Sequence, residues 1–174
     1  GTTGFRINPS QPLTKAHNMN QEKKRVIFDT NALISAVIKP DSFPSFVFEY
    51  AKTHEHLFYS SATLAELRRV VDLPKFETYR RRFGDNREGF FLGYQEQATE
   101  ANPAFTVTDC RDKDDNKFLA LALSVDAEII VSGDSDLLVL NPYQNIRILT
   151  IRQYAQVRCQ IWRCVCSQKI DSRK

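Results

Sequence analysis

The stretch DDNKFLALALSVDAEIIVSGD, residues 114–134, decides how this chain is expected to fold. Its first part, 114–126, has apolar residues at helical spacing, with Phe118, Leu119 and Ala122 on one stripe. Its second part, 128–134, is a short apolar run that ends in a glycine-containing turn, which is typical of a buried strand. A helix that leads directly into such a strand predicts a unit of a parallel α/β sheet.

Strands and helices alternate over most of the remaining sequence. Apolar and β-branched runs predict four more strands, at 25–29 (RVIFD), 56–60 (HLFYS), 105–109 (FTVTD) and 146–150 (IRILT). Amphipathic stretches predict helices at 32–38, 45–53, 62–71, 75–101 (interrupted near 84–86) and 135–140. Because crossover helices imply parallel strands covered on both faces, we predict an α/β fold: a three-layer α/β/α sandwich with a central parallel sheet of about four or five strands.

Length and composition are those of one globular domain. The chain has 174 residues, of which 42% are hydrophobic and 26% charged. Aperiodic polar sequence predicts a flexible N-terminal arm at 1–24 and a basic C-terminal tail at 157–174, with the folded domain at 25–156. No apolar run approaches the roughly 20 residues that cross a bilayer, and the first residues lack the apolar core of a secretory signal. The sequence therefore predicts a cytoplasmic protein with no membrane partner.

Four cysteines are present: Cys110, Cys159, Cys164 and Cys166. The last three are close enough together to raise the question of a zinc knuckle. Structural zinc sites, however, have a second pair of ligands at a similar spacing, and no second pair follows here. Reduced cytosolic thiols are therefore the favoured interpretation.

Charge is unevenly distributed, although the net charge is only +3. Between Arg68 and Arg87 there are seven basic and three acidic residues, whereas between Asp109 and Asp136 there are eight acidic and three basic ones. A basic flank beside an acidic centre suits a metal-using enzyme that acts on a polyanion. The alternative is a solvated helical face with no binding role.

The acidic residues fall at positions that the predicted topology brings together. Asp29 ends the first strand, and Asp134 follows the strand at 128–134 together with Asp136. Asp115 begins the helix that leads into that strand, and Glu66 lies within two turns of a helix start. Because the carboxyl ends of parallel strands share one edge, where α/β sheets bind ligands, these acids are expected to lie near one another.

Clustered carboxylates need a compensating charge. Two of them about 4 Å apart repel by roughly 4 kcal/mol at an effective dielectric constant of 20. A hard divalent cation such as Mg²⁺ removes that repulsion and keeps waters, one of which can act as a nucleophile. Each acid also has an ordinary alternative, since Asp29, Asp115 and Asp134 can cap helices and Glu66 can pair with Arg69.

The chain resembles the PIN-domain nucleases, and most closely the bacterial subgroup assigned as toxins of toxin–antitoxin pairs. The resemblance covers about residues 25–155 and is carried by VIFDTNALISAVI (26–38), SATLAELRRVVDLPKF (61–76), CRDKDDNKFLALALSVDAEIIVSGDSDLLVL (110–140) and IRILT (146–150). It implies a Mg²⁺- or Mn²⁺-dependent endoribonuclease that cleaves single-stranded RNA, and it implies an antitoxin partner and a homodimer.

Site residues follow from the same resemblance, position by position. The matching catalytic and metal-binding acids are Asp29, Glu66, Asp115 and Asp134, with Asp136 as a further candidate metal ligand. The polar positions that support the site are Asn31 and Ser132. Whether one or two ions bind is left open.

Contacts to RNA are assigned to the basic flank. The candidates for phosphate contacts are Arg68, Arg69, Arg80, Arg81 and Arg82. Phe90, Phe91 and Tyr94 are placed either as a stacking platform for bases or as core or dimer contacts, and their spacing favours the second interpretation.

Three other functions share features with this sequence. Phosphatases of the haloacid-dehalogenase type need a second aspartate two residues after Asp29, where this chain has Asn31. A 5′-exonuclease or flap nuclease acting on DNA would need a helical arch or extension that the sequence lacks. The strongest alternative is a catalytically silent PIN-like module that binds RNA or a protein.

Overall fold

The computed structural model describes residues 22–38, 41–77, 81 and 87–158. Its centre is a five-stranded sheet in which every pairing is parallel. The strands lie in the order β3-β2-β1-β4-β5. Their bounds are β1 Arg25–Phe28, β2 His56–Tyr59, β3 Ala98–Glu100, β4 Ile129–Val131 and β5 Arg147–Leu149.

Side chains alternate along each strand between two hydrophobic cores. In β4, Ile129 and Val131 belong to the first core and Ile130 to the second. The first core is covered by α1 Thr30–Ile38, α2 Phe43–His54, α3 Ser61–Val71, α4 Arg87–Gln97 and α7 Ile151–Arg158. The second is covered by α5 Asn116–Ser124 and α6 Ser135–Leu138. The predicted three-layer α/β/α sandwich with a parallel sheet is confirmed.

One predicted strand is wrong. FTVTD, 105–109, belongs to no strand, and the third strand is β3, which follows α4 without a break and pairs with β2. Phe105 is 47% exposed, while Val107 is buried in the second core. The edge beside β2 is thus occupied by β3, and residues 105–109 have no sheet partner, so their β propensity is overridden by packing.

A buried ion pair joins the two ends of the described domain. The Glu55 carboxylate, whose side chain is wholly buried, accepts hydrogen bonds from Arg158 Nε at 2.6 Å and Nη2 at 2.9 Å. It also accepts the Lys24 N–H at 2.6 Å and the Tyr154 hydroxyl at 3.2 Å. Arg158 Nη2 donates to the Glu22 carbonyl at 3.0 Å as well. This cluster, called here the terminal clamp, lies where β1 and β2 begin.

The predicted arm and tail lie largely beyond the described ranges. Only residues 22–24 of the arm and 157–158 of the tail are described, so both boundaries stay predictions. Cys110 is a buried free thiol, whereas the three later cysteines lie outside the described residues. No helix within the described residues is long and apolar enough to cross a membrane.

Candidate active site

The carboxyl edges of β1 and β4 bring the first two acids together. These strands are neighbours in register, with Phe28 opposite Val131, and the Asp29 N–H continues the pairing by donating to the Val131 carbonyl at 2.9 Å. The segment Ser132–Asp134 therefore begins beside Asp29. Asp134 contributes to the electrostatic environment of Asp29 by raising its pKa.

Asp29 is buried, with 3% of its surface exposed, and is held by several donors. Its Oδ1 accepts the Ala32 N–H at 2.6 Å, and its Oδ2 accepts the Ser132 hydroxyl. Burial raises the pKa of Asp29 to about 6, even though these hydrogen bonds act in the opposite direction. The Asp29 carboxylate thus caps α1 through Oδ1 and is held in place by Ser132 through Oδ2.

Asp115 is the least compensated of these acids. It precedes α5, but its side chain makes no capping hydrogen bond, and its Oδ2 is buried without a hydrogen-bond partner among the described residues. Burial, followed by the charge of Asp134, raises the pKa of Asp115 to about 7. Asp29 and Glu66 contribute to the same increase, so the other three predicted acids all lie within electrostatic reach of Asp115. A capping role therefore does not account for Asp115.

Glu66 reaches the acids from α3 and has a cationic partner. Its Oε2 forms an ion pair with Nζ of Lys117, which projects from α5. Both side chains are mostly buried, with 17% of Glu66 and 21% of Lys117 exposed. Glu66 therefore enters the site already neutralised by a lysine.

Asp134 and Asp136 have different surroundings. The Asp134 side chain caps α6 by accepting the Asp136 N–H at 2.7 Å, and its own N–H donates to the Ser132 hydroxyl oxygen at 2.9 Å. The Asp136 side chain pairs instead with Arg111, whose side chain is 83% exposed. Asp134 is therefore tied to Asp29 through Ser132, whereas Asp136 is tied to a surface arginine.

Asn116 fixes the loop that precedes Asp115. Its Oδ1 accepts the Cys110 N–H at 2.9 Å, while its Nδ2 donates to the carbonyls of Cys110 at 3.5 Å and Lys113 at 3.4 Å. Asn116 itself is buried. This side chain supplies partners to backbone groups of the turn, and it thereby holds the loop that carries Asp115 to the start of α5.

The donor set fits a hard divalent cation, although it is not a preassembled cage. Carboxylate oxygens are the ligands that Mg²⁺ and Mn²⁺ prefer, and the unpartnered Oδ2 of Asp115 supplies one without breaking a hydrogen bond. Within the described ranges, however, no three His, Cys, Asp or Glu side chains are already arranged around one ion position. Glu66 contacts Lys117 instead, and Asp29 contacts Ser132.

The supporting asparagine and the arginines of the basic flank were also predicted from the sequence. Asn31 is exposed in the first turn of α1, and its carbonyl accepts the Ser35 hydroxyl at 2.7 Å.

Arg68 pairs with Glu88 at 2.9 Å and lies 4.3 Å from the ring centroid of Phe91. Arg69 is exposed on α3, and the exposed Arg81 pairs with Glu77 at 2.8 Å. Arg80 and Arg82 lie outside the described residues.

The aromatic residues of α4 serve the core. Phe91 and Tyr94 are 3% and 5% exposed, and Tyr94 packs against Phe48 and Tyr59. The alternative in which these two rings form a platform for bases is wrong. Phe90 is half-buried and packs against both.

The fold and the acids define a class: an α/β domain with a carboxylate-rich site at the carboxyl edge of a parallel sheet. Comparison with known proteins narrows that class. The sequence profile of the PIN domain matches residues 25–136, and the chain belongs to the PIN-domain family. An uncharacterized protein of Methanocaldococcus jannaschii, MJ1680, is 32% identical over 140 residues, which span 77% of this chain and 88% of that relative. PIN domains are generally nucleases that depend on divalent metal ions.

Sequence reasoning missed three residues that shape the site: Arg111, Asn116 and Lys117. A signal existed for two of them, because Arg111 and Lys117 are two of the three basic residues in the acidic stretch 109–136. Basic side chains inside an acidic segment are good candidates for counter-ions. Asn116 carried no such signal, since its role depends on how the loop folds.

Proposed function

We propose that this protein is a metal-dependent endoribonuclease that hydrolyses phosphodiester bonds of single-stranded RNA. The observation that carries the proposal is the buried Oδ2 of Asp115, which has no hydrogen-bond partner among the described residues and lies within the electrostatic reach of three more acids. The residues that would hold Mg²⁺ or Mn²⁺ are Asp29, Glu66, Asp115 and Asp134. Asp136 becomes a weaker candidate ligand because it already pairs with Arg111.

The chain's own residues prepare the acids for this role. Ser132 donates to Asp29 and accepts from the Asp134 N–H, so one hydroxyl fixes the relative position of two carboxylates. Asn116 fixes the loop before Asp115. When bound, a divalent ion supplies an activated water and neutralises charge on the leaving oxygen. Hydrolysis then consumes one water and breaks one P–O bond of the backbone.

Single-stranded RNA is proposed as the substrate from the family resemblance and from the basic flank. Among the flank arginines whose side chains the structure describes, Arg69 is the exposed one that best suits a phosphate contact. Arg68 and Arg81 have carboxylate partners, so their contribution requires exchange of Glu88 and Glu77 for phosphate. We therefore expect Arg69→Ala to weaken RNA binding at low salt more than Arg81→Ala.

The decisive experiment compares two neighbouring aspartates. RNA cleavage is measured for wild type, Asp115→Asn and Asp114→Asn, and also for Asp29→Asn, with Mg²⁺, with Mn²⁺ and with EDTA. Asp114 is exposed and one residue away, so it controls for the loss of one carboxylate in the same turn. We expect Asp115→Asn and Asp29→Asn to lose cleavage by at least about a hundredfold, whereas Asp114→Asn keeps it. EDTA should abolish cleavage by every variant.

Other outcomes would point elsewhere. Equal cleavage by all variants would indicate a contaminating nuclease. Binding of RNA that resists EDTA, without cleavage in Mn²⁺, would favour the silent binding module. Faster cleavage of double-stranded RNA or of DNA would overturn the assignment of the substrate.

We also propose a biological role and an oligomeric state for this nuclease. The toxin role, the antitoxin partner and the homodimeric state follow from the resemblance alone, whereas the cytoplasmic location is the one that the sequence predicts. If it is a toxin, expression of wild type should slow the growth of a bacterial host and Asp29→Asn should not. Light scattering on the purified chain tests the homodimer.

A further inference from the structure

Lys117 is a cation at the acidic site that no assigned function uses. Its ammonium group forms an ion pair with Glu66 Oε2 and lies 5.6 Å from the ring centroid of Phe118. Only about one fifth of the lysine side chain is exposed, so the ammonium group has lost much of its hydration. A poorly hydrated ammonium is retained only when a carboxylate compensates for it.

We propose that Lys117 is a built-in counter-ion of the acidic site, one that holds the Glu66 carboxylate and competes for it with a divalent ion. The inference rests on the proposed metal site. It assigns to Lys117 a positioning role, because its effect on the reaction passes through Glu66.

The surroundings of Glu66 explain why a counter-ion is needed. Glu66 is one of the charges that raise the pKa of Asp115, so the two carboxylates repel each other. Asp29 and Asp134 also repel the Asp115 carboxylate. Among the described residues, Lys117 is the one basic side chain that forms an ion pair with one of these four acids. Arg111 pairs with Asp136 instead. One ammonium group therefore offsets part of the negative charge of these acids.

The same contact has a cost for metal binding. An ion that takes Glu66 Oε2 as a ligand must displace Lys117 Nζ from that oxygen. The lysine stays nearby on α5, and its positive charge then opposes the ion at short range. Lys117 thus stabilises the fold when no ion is bound and lowers the affinity for the ion.

The test measures metal binding and stability instead of cleavage. Mn²⁺ affinity is measured by isothermal titration calorimetry, and thermal unfolding is followed in EDTA, for wild type, Lys117→Met and Lys113→Met. Methionine keeps the length of the stem and removes the charge. Lys113 is an exposed lysine of the same acidic segment, so its variant removes an equal charge without touching Glu66. Lys117→Gln repeats the comparison in case the methionine variant does not fold.

We expect Lys117→Met to bind Mn²⁺ about tenfold more tightly than wild type, because a charge-assisted contact no longer has to be broken. The same variant should unfold at a lower temperature in EDTA, where Glu66 has no partner. Lys113→Met should change the affinity by about twofold at most, since screening weakens an exposed charge.

The counter-ion role of Lys117 and the proposed metal site can be disproved separately. Unchanged or weaker Mn²⁺ binding by a folded Lys117→Met protein would overturn the counter-ion role and leave the metal site intact. Absence of Mn²⁺ binding by wild type and by every variant would overturn both. Binding by Lys117→Met but not by wild type would support the competition most directly.

Discussion

Replacing Asp29 with asparagine should stabilise the protein in the absence of metal, and by an amount that depends on pH. Burial raises the pKa of Asp29 from 3.8 to about 6. Since each tenfold change in acidity is worth about 1.4 kcal/mol, keeping this carboxylate ionised in the folded protein costs about 3 kcal/mol. Asparagine retains an acceptor for the Ala32 N–H and carries no charge, so the variant avoids that cost.

The direction of this pH dependence follows from the pKa of Asp29 in the unfolded chain and in the folded protein. The unfolded chain releases the Asp29 proton near its ordinary pKa of 3.8 and the folded protein near 6, so the folded state binds the extra proton between these values. The free energy of unfolding of wild type therefore falls as the pH rises through this window. Between about pH 5 and about pH 8, Asp29 alone should remove about 1.4 kcal/mol. Asp115, with its pKa raised to about 7, acts in the same direction.

The assay is urea unfolding in EDTA at about pH 5 and about pH 8, for wild type, Asp29→Asn and Glu96→Gln. Glu96 is an exposed acid on α4, so its variant should follow wild type at both pH values. The difference in unfolding free energy between wild type and Asp29→Asn should widen by at least about 1 kcal/mol toward pH 8. A difference that stays constant, or widens toward pH 5, would refute the argument that burial disfavours the ionised carboxylate. Added Mn²⁺ should stabilise wild type most at high pH, because metal ligands bind deprotonated.

Three further substitutions test contacts around the sheet. Ser132→Ala removes the donor to Asp29 and the acceptor of the Asp134 N–H, so it should lower the unfolding free energy by about 1–3 kcal/mol and move the pH–rate profile for cleavage toward higher pH. Asn116→Ala should cost about 1–3 kcal/mol in urea unfolding and weaken Mn²⁺ binding in calorimetry, because the loop before Asp115 loses its anchor. Arg158→Met leaves Glu55 buried without its cation and should cost about 3–5 kcal/mol, whereas Arg147→Met, at an exposed position, should cost under about 0.5 kcal/mol.

Much of the fold could be predicted because four strands have a strong apolar signal. The runs at 25–29, 56–60, 128–134 and 146–150 each contain a strand of the sheet. The third strand was misplaced because β3 has the sequence Ala-Thr-Glu, three residues at the sheet edge that continue a helical pattern. FTVTD has the better local propensity, and only tertiary packing decides between the two.

The acidic site was predictable from topology for a related reason. Asp29 and Asp134 must share an edge once β1 and β4 are parallel, whatever their side chains do. The partners within each ion pair were not predictable, because contacts such as Lys117 with Glu66 and Arg68 with Glu88 join different helices. The charge pattern of the basic flank therefore overstated how many arginines are available to a phosphate.

The terminal clamp has a practical consequence for attaching a label or a surface to this domain. Glu22, Lys24 and Arg158 meet at the strand beginnings, about 13 Å along β1 from the edge that carries Asp29. A fluorophore, affinity handle or surface linker joined through either end of the domain thus starts from the side opposite the acids. Immobilised in that orientation, the protein would present its carboxylates to the bulk solution and leave a long nucleic acid free to approach them.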